Sequence, residues 1–280
     1  MTCSALPGDI SDTVERALLE DIGSGDLTAP LVPDTAARAE LVTREDAVLC
    51  GTAWADEVFR QLDTRVHITW LKRDGERVVA SSVIAFLEGP ARALLTGERC
   101  ALNFLQTLSG TATQAAQYAD ALRGTQCKVL DTRKTIPGLR RAQKYAVRCG
   151  GGHNHRLGLY DAVLIKENHI NTAGSVTAAF AQARAAVATD ISIEIEVENL
   201  NQLREALSAG ATRVLLDNFD LEGLAVAVRE TAGRATLEAS GGITLDNIRA
   251  IAETGVDFIS VGSLTKHLRA IDLSLRFLPR

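Results

Sequence analysis

Between Lys128 and Ser263 the chain repeats one pattern, a short run of β-branched or apolar residues followed by an amphipathic, Ala-rich stretch. The runs are KVLDT from Lys128, DAVLIKE from Asp161, ISIEIEV from Ile191, RVLLDN from Arg213, ATLEAS from Ala235 and DFISVGS from Asp257. Between them, AGSVTAAFAQARAAVA, NLNQLREALSAG, LEGLAVAVRETAG and TLDNIRAIAETG carry helical spacing, several ending at a Gly suited to a helix C-cap. Alternation at so short a spacing predicts a parallel sheet covered by helices, and this many units in a row favour a barrel over an open sheet. Six strands fall short of the eight that close a regular β/α barrel.

The first 110 or so residues lack this cadence. SDTVERALLEDIG reads as helix, and AELVTREDAVLCG, RVHITWL and RVVASSVIAFLEG predict an α+β domain built on antiparallel strands. Ala91 to Ala121 reads as a helix interrupted near Ser109 and Gly110, joining a domain over 1–110 to a barrel over 111–267. A chain of 280 residues, 46% of them hydrophobic, can fill a core for one large domain or two unequal ones.

A net charge of -5 and a pI near 5.6 argue against broad binding to nucleic acid or anionic lipid. Any polyanion must then be met locally. MTCSALPGDISD has no basic stretch followed by an apolar one, and nowhere do about 18 apolar residues run together. The cytoplasm, without membrane contact, is the expectation. Five cysteines, Cys3, Cys50, Cys100, Cys127 and Cys149, are scattered with no CxxC, which suits buried reduced thiols.

Cationic charge is concentrated in DTRKTIPGLRRAQKYAVRCGGGHNHRLGLYD, Asp131 to Asp161, where seven Arg and Lys accompany three consecutive glycines and no acid lies between Thr132 and Tyr160. Arg140, Arg141 and Lys144 read as a solvated helix face. Arg133, Lys134, His155, Arg156 and Lys166 differ, because they fall at strand ends or in the Gly-rich loop. In a β/α barrel that end of the strands is the active face.

Other strands deliver acids there. In ISIEIEV, Ser192, Glu194, Glu196 and Glu198 alternate with apolar residues, so the carboxylates share the face turned into the barrel, where each requires a cation to offset its desolvation. Glu194 either pairs with an internal Lys or Arg or serves a ligand. Glu196 and Asp217 offer hard oxygens for a divalent metal or for ribose hydroxyls. SGG at Ser240, Gly241 and Gly242 and VGS at Val261, Gly262 and Ser263 end the last two strands, where small residues let backbone N–H groups approach a phosphate. Guanidinium forks facing this acidic pair suggest one substrate rich in carboxylates and another carrying phosphates with a metal.

The block DTRKTIPGLRRAQKYAVRCGGGHNHRLGLYDAVLIKENHI resembles the signature of the quinolinate phosphoribosyltransferase family. EDIGSGDLT, GERCALNFLQTLSGTAT, EIEVENL, LLDNF, LEASGGI and GVDFISVGSLTKH resemble it too, in the family's order and over nearly the whole chain. The resemblance implies an N-terminal α/β sandwich domain, an incomplete seven-stranded β/α barrel with the active site at the C-terminal ends of its strands, and a C-terminal segment, 268–280, that returns to the first domain. It implies phosphoribosyl transfer from 5-phosphoribosyl 1-diphosphate to quinolinate with decarboxylation, with Mg²⁺, in NAD biosynthesis. By motif, Thr132, Arg133, His155, Arg156 and Lys166 would hold quinolinate, and Arg99 in GERCALN would reach the same substrate from the partner subunit of a homodimer. Lys134 would lie near the diphosphate, and Glu196 and Asp217 near the ribose and the metal, directly or through water. Ser240, Gly241, Gly242, Val261, Gly262 and Ser263 would take the 5-phosphate. Lys134, Lys166, Glu196 and Asp217 are the residues expected to act in catalysis.

Ile136 stands where many relatives have Thr, and His153 fills a variable place; neither matches a substrate position. The alternatives are a molybdenum-transport-associated paralogue of the same fold, a lyase using Lys166 as a Schiff base, and a non-catalytic protein that kept the scaffold.

Overall fold

The computed structural model describes residues 5–279, so Cys3 lies outside it. Two compact units divide the chain. One comprises residues 117–134 and 152–262, the other residues up to 116, 135–151 and from 263 onward.

The first of these is the β/α barrel. Its parallel strands are Lys128–Leu130, Ala162–Ile165, Ser192–Val197, Arg213–Asp217, Thr236–Ser240 and Phe258–Ser260, the runs that the sequence singles out. From Ala162–Ile165 to Phe258–Ser260 each strand pairs with the next in sequence, and Lys128–Leu130 pairs with Phe258–Ser260. The first strand beside the last is the order of a ring. His153 makes a one-residue parallel bridge to Leu130 on the free side of Lys128–Leu130, standing in the place of a seventh strand. The ring stays open between His153 and Ala162–Ile165. His153 therefore contributes backbone: its N–H donates to the Val129 carbonyl at 2.9 Å and its carbonyl accepts from Asp131 at 3.0 Å.

Helices Val176–Ala186, Leu200–Ser208 and Leu221–Thr231 each begin at a side chain that accepts an orphan N–H of the first turn, Ser175, Asn199 and Asp220 respectively. A helix absent from the sequence reading, Glu167–Ala173, follows the second strand directly, so Glu167 opens a helix rather than ending a strand.

The other unit holds a four-stranded antiparallel sheet in the order Leu273–Phe277, Ala36–Thr43, Val83–Pro90, His67–Trp70. The C-terminal strand thus returns to an N-terminal one. This unit also takes in Arg140–Cys149, where Ala142, Tyr145 and Ala146 join Trp54, Leu105 and Leu108 in its core. Tyr145 sits 5.6 Å from the Trp54 ring and donates from its hydroxyl to Asp74 at 2.9 Å.

That packing also overturns the solvated-face reading for Lys144, which is fully buried. Arg141 is exposed, 3.8 Å from Asp9, whereas Arg140 is half-buried with its Nε donating to Thr135.

Ala91–Ala121 is one continuous helix of 31 residues, with no break at Ser109 or Gly110. The Ser109 hydroxyl is spent on both backbone groups of Cys50, and a Cβ on Gly110 would overlap the Arg269 carbonyl. These small residues serve close approach, not interruption.

Cys50, Cys100 and Cys127 are free and buried, and burial raises all three thiols. Cys149 is disulfide-bonded, which departs from the all-reduced expectation. No helix among the described residues is long and apolar enough to cross a membrane.

Candidate active site

The C-terminal ends of the barrel strands carry most of the residues expected there. Thr132, Arg133 and Lys134 follow Lys128–Leu130, and the Thr132 hydroxyl accepts the Lys134 N–H at 3.1 Å, turning the chain tightly. Beside this turn a Cβ on Gly262 would lie 2.9 Å from the Lys134 side chain, so a glycine there leaves the lysine its room.

Lys166 caps the second strand and its Nζ is 2.6 Å from Glu196 Oε2 on the third. Asp217, at the end of the fourth, is held above the usual carboxylate range by burial and then by the Glu196 charge, with Lys166 and Lys134 opposing. Two carboxylates and two ammonium groups therefore share one electrostatic neighbourhood. The oxygens of Glu196 and Asp217 fit a hard divalent cation, which would relieve the repulsion between them.

Asn218 has φ 57 and donates from its carboxamide to Asp217 at 2.8 Å. Its backbone N–H bonds the Ser240 carbonyl at 2.9 Å. Gly241 is at φ 99, and a Cβ on it would overlap the Asn218 carboxamide, so only glycine lets SGG pass here.

Arg133 is the unsatisfied member. Its Nε is buried without a hydrogen-bond partner. It lies near Arg156, whose pKa is lowered by burial first and by Arg133 second. Two guanidinium groups brought together, one of them with an orphaned donor, can accept an anionic oxygen between them.

His155 is engaged within the protein on both ring nitrogens: Nε2 is 2.8 Å from Glu194 Oε2, and Nδ1 accepts the Arg156 N–H at 2.7 Å. The structure places the ring against Glu194. Glu194 is buried and also lies 3.5 Å from Arg213, so its partners are a histidine and an internal arginine. Burial would raise Glu194; the His155 hydrogen bond, then Arg213, outweigh it and hold it below the ordinary range.

Arg213 and Glu238 were not singled out in the sequence. The signal was there, since Thr236, Glu238 and Ser240 alternate as Ser192, Glu194 and Glu196 do. Arg99, exposed on Ala91–Ala121, and Ser263, first residue of Ser263–Lys266, belong to the other unit.

Two family models match, the quinolinate phosphoribosyl transferase C-terminal domain over residues 111–276 and its N-terminal domain over 26–109. The chain belongs to the quinolinate phosphoribosyl transferase family. A probable nicotinate-nucleotide pyrophosphorylase (carboxylating) of Bacillus subtilis is 45% identical over 92% of this chain and 89% of its own length. The nicotinate-nucleotide pyrophosphorylase (carboxylating) of Mycobacterium leprae is 44% identical over 94% of this chain and 95% of its own. The solved nicotinate-nucleotide pyrophosphorylase of Francisella tularensis superposes with a TM-score of 0.95 at 49% identity, covering 99% of each chain. Arg133, Arg156, Gly241, Gly242 and Gly262 lie in one unit.

Proposed function

We propose that the chain transfers the phosphoribosyl group of 5-phosphoribosyl 1-diphosphate to the ring nitrogen of quinolinate. Decarboxylation follows, giving nicotinate mononucleotide, diphosphate and carbon dioxide on the route to NAD. The observation that carries this reading is the buried, unpartnered Nε of Arg133 beside Arg156. A pyridine with two adjacent carboxylates would engage the donor left open on Arg133.

Arg133, Arg156 and Lys166, with the Thr132 hydroxyl, hold the quinolinate carboxylates, and His155 acts through Arg156. Lys134 faces the diphosphate. Glu196 and Asp217 face the ribose hydroxyls, and the SGG and VGS turns take the 5-phosphate. Mg²⁺, held by Glu196 and Asp217 directly or through water, would neutralise the diphosphate charge when bound.

The ring nitrogen attacks the anomeric carbon while the bond to diphosphate breaks and its electron pair leaves with the diphosphate. The sugar passes through an oxocarbenium-like state, so the protein's work is to position two anions and stabilise the departing charge. The pyridinium then accepts the electrons released as the carboxylate beside the nitrogen leaves as carbon dioxide, and a proton replaces it. No protein nucleophile is required. Lys166 is poorly suited to be one: its ammonium is ion-paired and half its side chain is exposed, whereas a Schiff-base lysine needs a desolvated amine.

The test is to supply quinolinate, 5-phosphoribosyl 1-diphosphate and Mg²⁺ and follow nicotinate mononucleotide. Formation of the product with quinolinate but not with nicotinate is expected. Equal use of nicotinate would remove the reading.

The active form is a homodimer in which Arg99 enters the partner's site. Arg99→Ala and Arg133→Ala subunits, each inactive alone, are expected to regain activity when mixed, because one site of a mixed dimer recovers both arginines. Mixed dimers shown to form yet inactive would exclude the shared site.

A further inference from the structure

Glu238 is buried on the barrel strand Thr236–Ser240. Its side chain is 1% exposed, and neither carboxyl oxygen accepts a hydrogen bond. His155 Nε2 is 3.6 Å away and the Arg213 guanidinium 4.0 Å. The other charged groups about this cluster are Glu194 from the third strand, Asp131, which accepts the His155 N–H, Asp161, which accepts the Leu157 N–H, and Arg156 with Arg133 near it. The Ser260 hydroxyl approaches from the last strand.

Two buried carboxylates against one guanidinium leave an excess of one negative charge, and a buried excess charge is expensive. A proton could sit on His155 or on Glu238. Geometry excludes His155: its Nδ1 accepts the Arg156 N–H at 2.7 Å, which an imidazolium cannot do, since both of its nitrogens carry hydrogen. A metal ion is the other way to balance charge, and His155, Glu194 and Glu238 have ligand atoms within 4.8 Å of one another. Arg213 already occupies the cationic role there. A proton on Glu238 also answers its orphaned oxygens, because a carboxyl O–H can donate to Glu194.

We infer that Glu238 is a neutral carboxylic acid in the barrel interior and a positioning residue for the substrate cations. It keeps His155 neutral, with Nδ1 holding the backbone of Arg156, and keeps surplus negative charge away from Arg156. This rests on the reading that Arg156 takes a quinolinate carboxylate.

Burial, then Glu194, raises the Glu238 carboxyl to about 7. Above that pH the group ionises, and the added buried charge weakens the cationic field that the substrate meets. The wild-type KM for quinolinate is therefore expected to rise roughly tenfold between about pH 6 and pH 9, while the KM for 5-phosphoribosyl 1-diphosphate does not follow. Glu238→Gln, whose amide can donate to Glu194 at every pH, is expected to hold the low-pH quinolinate KM throughout. The acid's stabilising effect is full below its unfolded value and is lost as pH rises through about 7, so the Tm advantage of Glu238→Gln should grow with pH.

Nitrogen-15 NMR of the histidines, with His155 assigned by His155→Gln, decides where the proton sits without any turnover. A neutral ring protonated on Nε2 at pH 6 is expected. An imidazolium at pH 6, or the same rise in KM retained in Glu238→Gln, would overturn the inference. Absence of quinolinate turnover together with a neutral His155 would instead strike at the assigned reaction.

Discussion

Arg133→Ala is expected to raise the quinolinate KM and to leave the KM for 5-phosphoribosyl 1-diphosphate close to its wild-type value. The guanidinium is half-buried and its Nε has no hydrogen-bond partner within the protein, so the free enzyme gains nothing from that donor and the bound enzyme does. Removing one member of a desolvated, hydrogen-bonded charge pair costs about 2–5 kcal/mol. At about 1.4 kcal/mol per factor of ten, kcat/KM for quinolinate falls roughly 30- to 5,000-fold. Arg133→Lys is expected to recover little, because an ammonium cannot span a carboxylate as the planar fork does. Thermal stability should hold or rise slightly, since the variant relieves the repulsion that lowers the Arg156 pKa. Steady-state kinetics with each substrate varied in turn, beside a melting curve, provide the check. A drop in kcat at unchanged quinolinate KM would move Arg133 from substrate binding to the bond-breaking step.

The barrel was legible because its signal is repeated. Each strand run carries its own period of two and each linker its own helical spacing, so a local misreading cannot undo the pattern. The seventh position was invisible in the residues themselves, being a single bridge at His153 within the Gly-rich loop. Local signals failed where one residue type serves two ends. Gly110 reads as a helix breaker, yet its helix runs through it and the missing Cβ makes way for the Arg269 carbonyl. Lys144 reads as solvent-facing by chemistry and is buried by the fold. The cluster of strand-end acids and bases could be placed from sequence because strand ends converge in a barrel. The role of His155 could not, since nothing in HNHR tells that the ring turns toward Glu194 and spends both nitrogens there.

Glu194→Ala produces the largest expected loss of stability in the barrel. The carboxylate is 5% exposed and faces both His155 at 2.8 Å and Arg213 at 3.5 Å. Truncation takes from the half-buried Arg213 guanidinium and from the His155 N–H their nearest carboxylate, a defect that costs about 3 kcal/mol. For a cooperative unit of this size that is a fall in Tm of about 10 °C. Glu194→Gln keeps an acceptor for the His155 N–H but no charge for Arg213, so its loss is smaller. The pH dependence follows from the lowered pKa: the stabilising contribution is present above the unfolded value of 4.5 and disappears as pH falls through the folded value. On acidification from about pH 5 to pH 3 the gap in Tm between wild type and Glu194→Ala should then close. Melting curves over that range test it, and a gap that widened on acidification would show that Glu194 is held protonated in the folded barrel, which would exchange its role with that of Glu238.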